Sequence, residues 1–127
     1  MKIVTLSLAA AAAVAFAGAA AAHHSNAMFD RSKEVVLNGV VKEFQWANPH
    51  SFIQVMARDA SGATNEWSVE WASPNNLQRQ GFKRTTFKPG DSLAVTVNPL
   101  RSGERGGLFV SAKMANGETV ARPRPAE

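Results

Sequence analysis

The chain has 127 residues with a formal net charge of +4, 9 Gly, 6 Pro, 3 Trp and 7 Phe, and it contains neither Cys nor Tyr. That length holds one domain and leaves no room for a second. The lack of cysteine excludes disulfide scaffolds, thiol catalysis and thiolate metal sites together.

Residues 1–22 read as a secretory signal peptide. Lys2 gives the positive start, residues 3–16 are an apolar run, and residues 18–22 are small enough for cleavage. His23, His24 and Ser25 follow without a basic stop-transfer cluster, so cleavage is expected and a retained anchor is not. Cleavage after Ala20, Ala21 or Ala22 fits equally well. The expected location is the periplasm or the medium, with no stable membrane insertion afterwards. About 105 residues then remain, enough to bury roughly two-thirds of the unfolded surface. Without Lys2 the net charge is about +3, with the signs interspersed as in Arg31-Ser32-Lys33-Glu34. Only Lys83, Arg84 and Lys88 cluster, so nucleic acid is not an expected partner.

Residues 23–33 lack periodicity and read as an N-terminal arm. Residues 34–46 read as a strand, in which Gly39 predicts a bulge or sharp bend. Ala47-Asn48-Pro49-His50 breaks the pattern. Residues 52–58 form a second strand with Ile53, Val55 and Ala57 on one face, followed by a hairpin turn at residues 59–62. In the third strand Trp67, Val69 and Trp71 point one way and Glu66, Ser68 and Glu70 the other. Ser73 as N-cap and Pro74 at the first position start a short helix that ends near Gly81. Lys88-Pro89-Gly90-Asp91 is a turn leading to Leu93, Val95 and Val97 of the fourth strand. In the fifth strand Leu108, Val110, Ala112 and Met114 alternate, and Asn116-Gly117 turns into an edge at Thr119-Val120. Residues 122–127 read as a disordered tail.

Three strands, a short helix and two further strands give an all-β fold over residues 34–121. It is a five- to six-stranded OB-like Greek-key barrel with one helix between strands 3 and 4. A β-sandwich would need about seven strands.

The only histidines are His23, His24 and His50, and two of them flank the expected mature N-terminus. Cleavage after Ala22 makes His23 the first residue, whose amine and imidazole chelate one metal. His50 could then close a three-nitrogen histidine brace. Cleavage one or two residues earlier places His24 or His23 third, where amine, two amides and imidazole form a square plane. Tetragonal nitrogen ligation favours Cu(II) or Ni(II) over zinc, so copper is the expected cofactor. Met28, Met56 and Glu70 are further candidate donors, while His50 would equally serve a loop carbonyl. Trp46, Asn48, Phe52 and Glu70 form a candidate pocket. Phe52, Gln54, Glu66, Ser68 and Glu70 mark the face an OB barrel uses for binding. Its two glutamates argue against a polyanion.

Nucleophilic catalysis has little support, since Ser25, Ser51 and Ser73 lack a strand-turn-helix elbow. Glu66 and Glu70 on one strand stand about 13 Å apart, too far for a glycosidase pair. Residues 101–107 lack the Gly-Lys-Ser/Thr of a phosphate cradle.

His23-His24-Ser25 and Met28-Phe29-Asp30 stand beside Phe44-Gln45-Trp46-Ala47-Asn48-Pro49-His50-Ser51 and Glu66-Trp67-Ser68-Val69-Glu70. Ser73-Pro74-Asn75-Asn76-Leu77, Lys88-Pro89-Gly90-Asp91 and Asn98-Pro99-Leu100-Arg101 complete the set. With these the chain resembles a family of small exported bacterial proteins classed as a domain of unknown function. The resemblance covers the mature chain and implies export and a single domain, but no activity, substrate or metal. Two functions are therefore expected. One is a periplasmic protein that carries or buffers copper through its N-terminal histidines. The other is a metal-independent module that binds a glycan, a peptide or a partner protein.

Overall fold

The computed structural model describes residues 27–122. Its elements are β1 (Val35–Gln45), β2 (Phe52–Arg58), β3 (Thr64–Glu70), α1 (Pro74–Arg79), β4 (Ser92–Pro99), β5 (Gly106–Met114) and β6 (Thr119–Ala121). The strands follow the order β3-β2-β1-β4-β5-β6, and a parallel pairing of β3 with β5 closes the first five into a barrel. β6 is an extra strand on β5. The OB-like order and the single helix between the third and fourth strands are those expected from the sequence. The signal peptide, His23, His24 and residues 123–127 lie outside the described residues.

β1 is long because it serves two partners, β4 over its first half and β2 over its second. The two pairings overlap at Gly39, opposite both Ala57 and Leu93, and at Val40, opposite both Met56 and Ser92. The bulge expected at Gly39 falls elsewhere in β1. The register shift falls between Val41 and Glu43, and Gly39 itself is regularly paired. Glycine is needed there for close approach, since a Cβ would lie 2.1 Å from the carbonyl oxygen of Met56.

The alternation expected in β5 is also corrected. A register shift opposite Thr96 and Val97 makes Ser111 and Phe109 successive partners, leaving Val110 over. The extra residue inverts the inside-outside parity, so Phe109 is buried while Leu108 and Val110 stay half-buried. Beyond the shift, Ala112 is again in the core.

The core joins the inward residues of the strands to residues of the β3–β4 connection. In α1 the Ser73 side chain accepts from the Asn76 amide, Pro74 occupies the first turn, and Gly81 follows with φ +87°. That short helix holds Leu77 fully buried, a contribution of about 1.5–3 kcal/mol. Trp71 sits among four rings, its centroid 4.3 Å from Phe109, 4.9 Å from Phe82, 5.8 Å from Phe87 and 6.2 Å from Phe44.

The described part of the arm is tied to the end of β4. Phe29 is buried and bridges to Leu100, the Asp30 amide donates to Pro99, and Arg101 donates to the Met28 carbonyl. Buried Asn98 donates from Nδ2 to the Lys33 carbonyl at 2.8 Å. The Asp30 carboxylate accepts from the Ser32 hydroxyl at 2.6 Å and its amide at 3.1 Å. The hydroxyl bond is the main cause holding this carboxyl below the ordinary aspartate value of 3.8. A depressed carboxyl stabilises the fold above its unfolded pKa, and that contribution is lost as pH falls through the folded value. Asp30→Asn is therefore expected to lower Tm at pH 7. The gap from the native chain should narrow from about pH 4 downward and close once Asp30 is protonated in both states. Thermal unfolding from pH 7 to pH 2 checks this, and a gap independent of pH would refute it.

Candidate functional site

The site begins where β2 extends past Phe52. The Ser51 amide donates to Ala72 at 3.1 Å, and the Trp71 amide donates to Ser51 at 2.8 Å. The Phe52–Glu70 register does not run on regularly, since Trp71 and Ala72 both bond Ser51, and beyond this point His50 reaches Glu70 on the outward face. Ser51 points inward, fully buried, and its hydroxyl has no partner among the described residues. Ser51 and His50 therefore face opposite ways and do not form a nucleophile–base pair.

His50 Nδ1 lies 2.5 Å from Glu70 Oε1, the imidazole 41% exposed and the carboxylate 15%. With Nδ1–H donating to Glu70, the lone pair of the neutral ring is on Nε2. Nε2 makes no hydrogen bond among the described residues. The partner of His50 is thus a carboxylate and not a loop carbonyl.

This pair lines a cleft of about 350 Å³ shared with Arg31 of the arm, Arg122 after β6, Asn76 of α1 and Gln80 just beyond it. Pro49, Ala72 and Leu108 give the cleft an apolar side. Segments from both ends of the described chain thus meet at His50.

The other candidate residues fall elsewhere. Trp46 packs edge-on against Phe44 at 5.6 Å, Asn48 is exposed before a cis bond to Pro49, and Phe52 is half-buried opposite Glu70. On the outer face of β2 and β3, Gln54 donates to Gln45 and Ser68, while Lys42 pairs with Glu66 at 2.8 Å. Met28 is exposed and Met56 half-buried. Among the described residues, no group of three or more His, Cys, Asp and Glu side chains is placed to hold a metal ion. Sequence reasoning missed Arg31, Arg122, Asn76 and Gln80. Their convergence depends on the closed barrel, and no local pattern marks it.

A family model matches residues 10–111. The chain belongs to DUF6152, a family of unknown function. No curated protein and no solved structure matches it. The stretch shared with DUF6152 includes Arg31, His50, Glu70, Asn76 and Gln80, and it ends before Arg122.

Proposed function

We propose that the protein is an exported, periplasmic copper-binding protein that carries or buffers the metal. His50 is the ligand supplied by the barrel. His23 or His24, with the α-amine freed by removal of the leader, supplies the remaining nitrogens. The observation that carries this reading is the Glu70 carboxylate on His50 Nδ1. Metal-binding histidines usually donate their second ring N–H to such a partner, which fixes the tautomer and raises the basicity of the ligating nitrogen.

Chain geometry supports the reading. The arm is fixed at Met28 and Phe29, and Arg31 of that arm lines the same cleft as His50. Four or five residues of chain span up to roughly 15 Å, which is the reach from Phe29 open to His24. An all-nitrogen donor set without thiolate favours copper. The alternative, a glycan- or peptide-binding surface across β2 and β3, has less support because Gln54, Ser68, Lys42 and Glu66 already pair with their neighbours.

The test uses untagged protein exported to the periplasm, with intact mass measured with and without one equivalent of Cu(II) and a competing chelator. His50→Ala should weaken copper binding at least tenfold, about 1.4 kcal/mol. Glu70→Gln should weaken it by about 10- to 100-fold through loss of the oriented tautomer. Affinity should fall with pH as the ligands protonate. Complete stripping of copper from the native chain would overturn the reading, and retention by His50→Ala would remove His50 from it.

A further inference from the structure

We propose that the loop joining α1 to β4 is a docking surface for an anionic phospholipid bilayer, on which the protein rests without inserting. Residues 71–90 carry Arg79, Lys83, Arg84 and Lys88 and no acidic side chain. All four cations are exposed, and none of their side chains has an ion pair or hydrogen bond among the described residues. Lys33 and Lys42, by contrast, are matched by Asp30 and Glu66. Asp91 and Glu118 share a hollow with Lys88, and Asp91 already accepts from the Lys88 amide at 2.9 Å. Lys83 and Arg84 lie outside that hollow.

The loop is a fixed platform. Leu77 and Phe87 are fully buried, and Phe82 packs on Trp71 at 4.9 Å. The Thr86 amide donates to the Lys83 carbonyl at 2.9 Å, and the Lys83 amide donates to Thr86 Oγ1 at 2.8 Å. That turn puts Arg84 and Thr85 at its tip, both exposed. Apolar side chains therefore hold the loop from inside while charge faces outward.

This shape selects the partner. Nucleic-acid grooves add aromatic rings on which bases stack, and protein interfaces have an apolar centre. Over residues 79–90 no aromatic ring and no Leu, Ile, Val or Met is exposed. A bilayer of anionic headgroups offers a sheet of charge to a convex basic tip and asks for no matching pocket. Arg79, Lys83, Arg84 and Lys88 together reach the cluster size that binds acidic lipid surfaces, each strengthening binding about fivefold.

Co-sedimentation of the full exported chain with vesicles of mixed phosphatidylglycerol and phosphatidylcholine tests this. The native chain should pellet with these vesicles at low salt and not with pure phosphatidylcholine. Raising salt from about 0.1 M to about 1 M shortens the screening length from about 10 Å to about 3 Å and should release it. Lys83→Gln with Arg84→Gln should weaken binding at least about tenfold, with the dispersed amide NMR spectrum intact. Arg58→Gln with Arg105→Gln removes the same charge elsewhere and should have a clearly smaller effect. Equal losses in the two double variants would reduce the attraction to net charge and overturn the proposal. So would absence of binding to the anionic vesicles, equal binding to neutral ones, equal binding of soluble glycerol phosphate, or tighter binding to a DNA duplex.

Discussion

Trp71→Ala is expected to lower the unfolding free energy by about 3–5 kcal/mol. The indole is 4% exposed and touches rings from three parts of the chain: Phe44 of β1, Phe82 and Phe87 of the β3–β4 connection, and Phe109 of β5. No single neighbour can move into the space it leaves, because Phe87 and Phe109 are themselves fully buried and packed against each other. The cost therefore includes a cavity as well as lost transfer energy. Small domains have about 5–15 kcal/mol in total, so much of the margin goes. Urea unfolding followed by tryptophan-independent circular dichroism measures it. Trp71→Phe, which keeps a ring among the four, should cost clearly less. A loss below about 1 kcal/mol for Trp71→Ala would mean that the cluster can collapse, against the expectation for a close-packed interior.

The same residue links stability to the site. Trp71 lines the cleft, and its amide donates to Ser51, the residue between His50 and β2. A destabilised Trp71 variant should therefore weaken ligand binding at the cleft even where it remains folded.

What the sequence made legible follows period-two burial. Ile53, Val55 and Ala57, then Leu93, Val95 and Val97, are inward as their alternation requires. The turns at Gly62, Gly90 and Gly117 also declared themselves, since each adopts positive φ. Two features of the strands did not. Val110 inverts β5 because β4 pairs across it with a shift, and the site of a bulge depends on the neighbouring strand. The displacement of the irregularity from Gly39 to Lys42 has the same origin.

The site was legible in pieces. His50 and Glu70 each stood out by residue type, but their pairing depends on the irregular backbone bonds of Ser51 with Trp71 and Ala72, beyond the end of the recognised strand. Arg31 and Arg122 were not legible as cleft residues, being ordinary charged positions until barrel closure brings both ends of the described residues to one place. His23 and His24, the strongest signal in the sequence, lie outside the described residues.

Gly39→Val is the second substitution expected to be severe, at about 3 kcal/mol. A Cβ at this position would stand 2.1 Å from the Met56 oxygen, 2.8 Å from its carbonyl carbon and 2.9 Å from Ala57 Cα. All three are backbone atoms, so no rotamer change relieves the contact. Moving β2 away would break ladder bonds, and moving β1 would disturb β4, because Gly39 pairs with Ala57 on one side and Leu93 on the other. Gly39→Ala already carries the offending atom and should show most of the effect. Gly62→Ala supplies the contrast: its φ is +85° but nothing lies within 4 Å of the added carbon. Only the left-handed backbone opposes that change, at about 1–2 kcal/mol. Chemical unfolding of the three variants should rank Gly62→Ala as the mildest. If Gly39→Ala proved no worse than Gly62→Ala, β1 and β2 could separate locally, and the junction of the two halves of the barrel would be looser than its contacts imply.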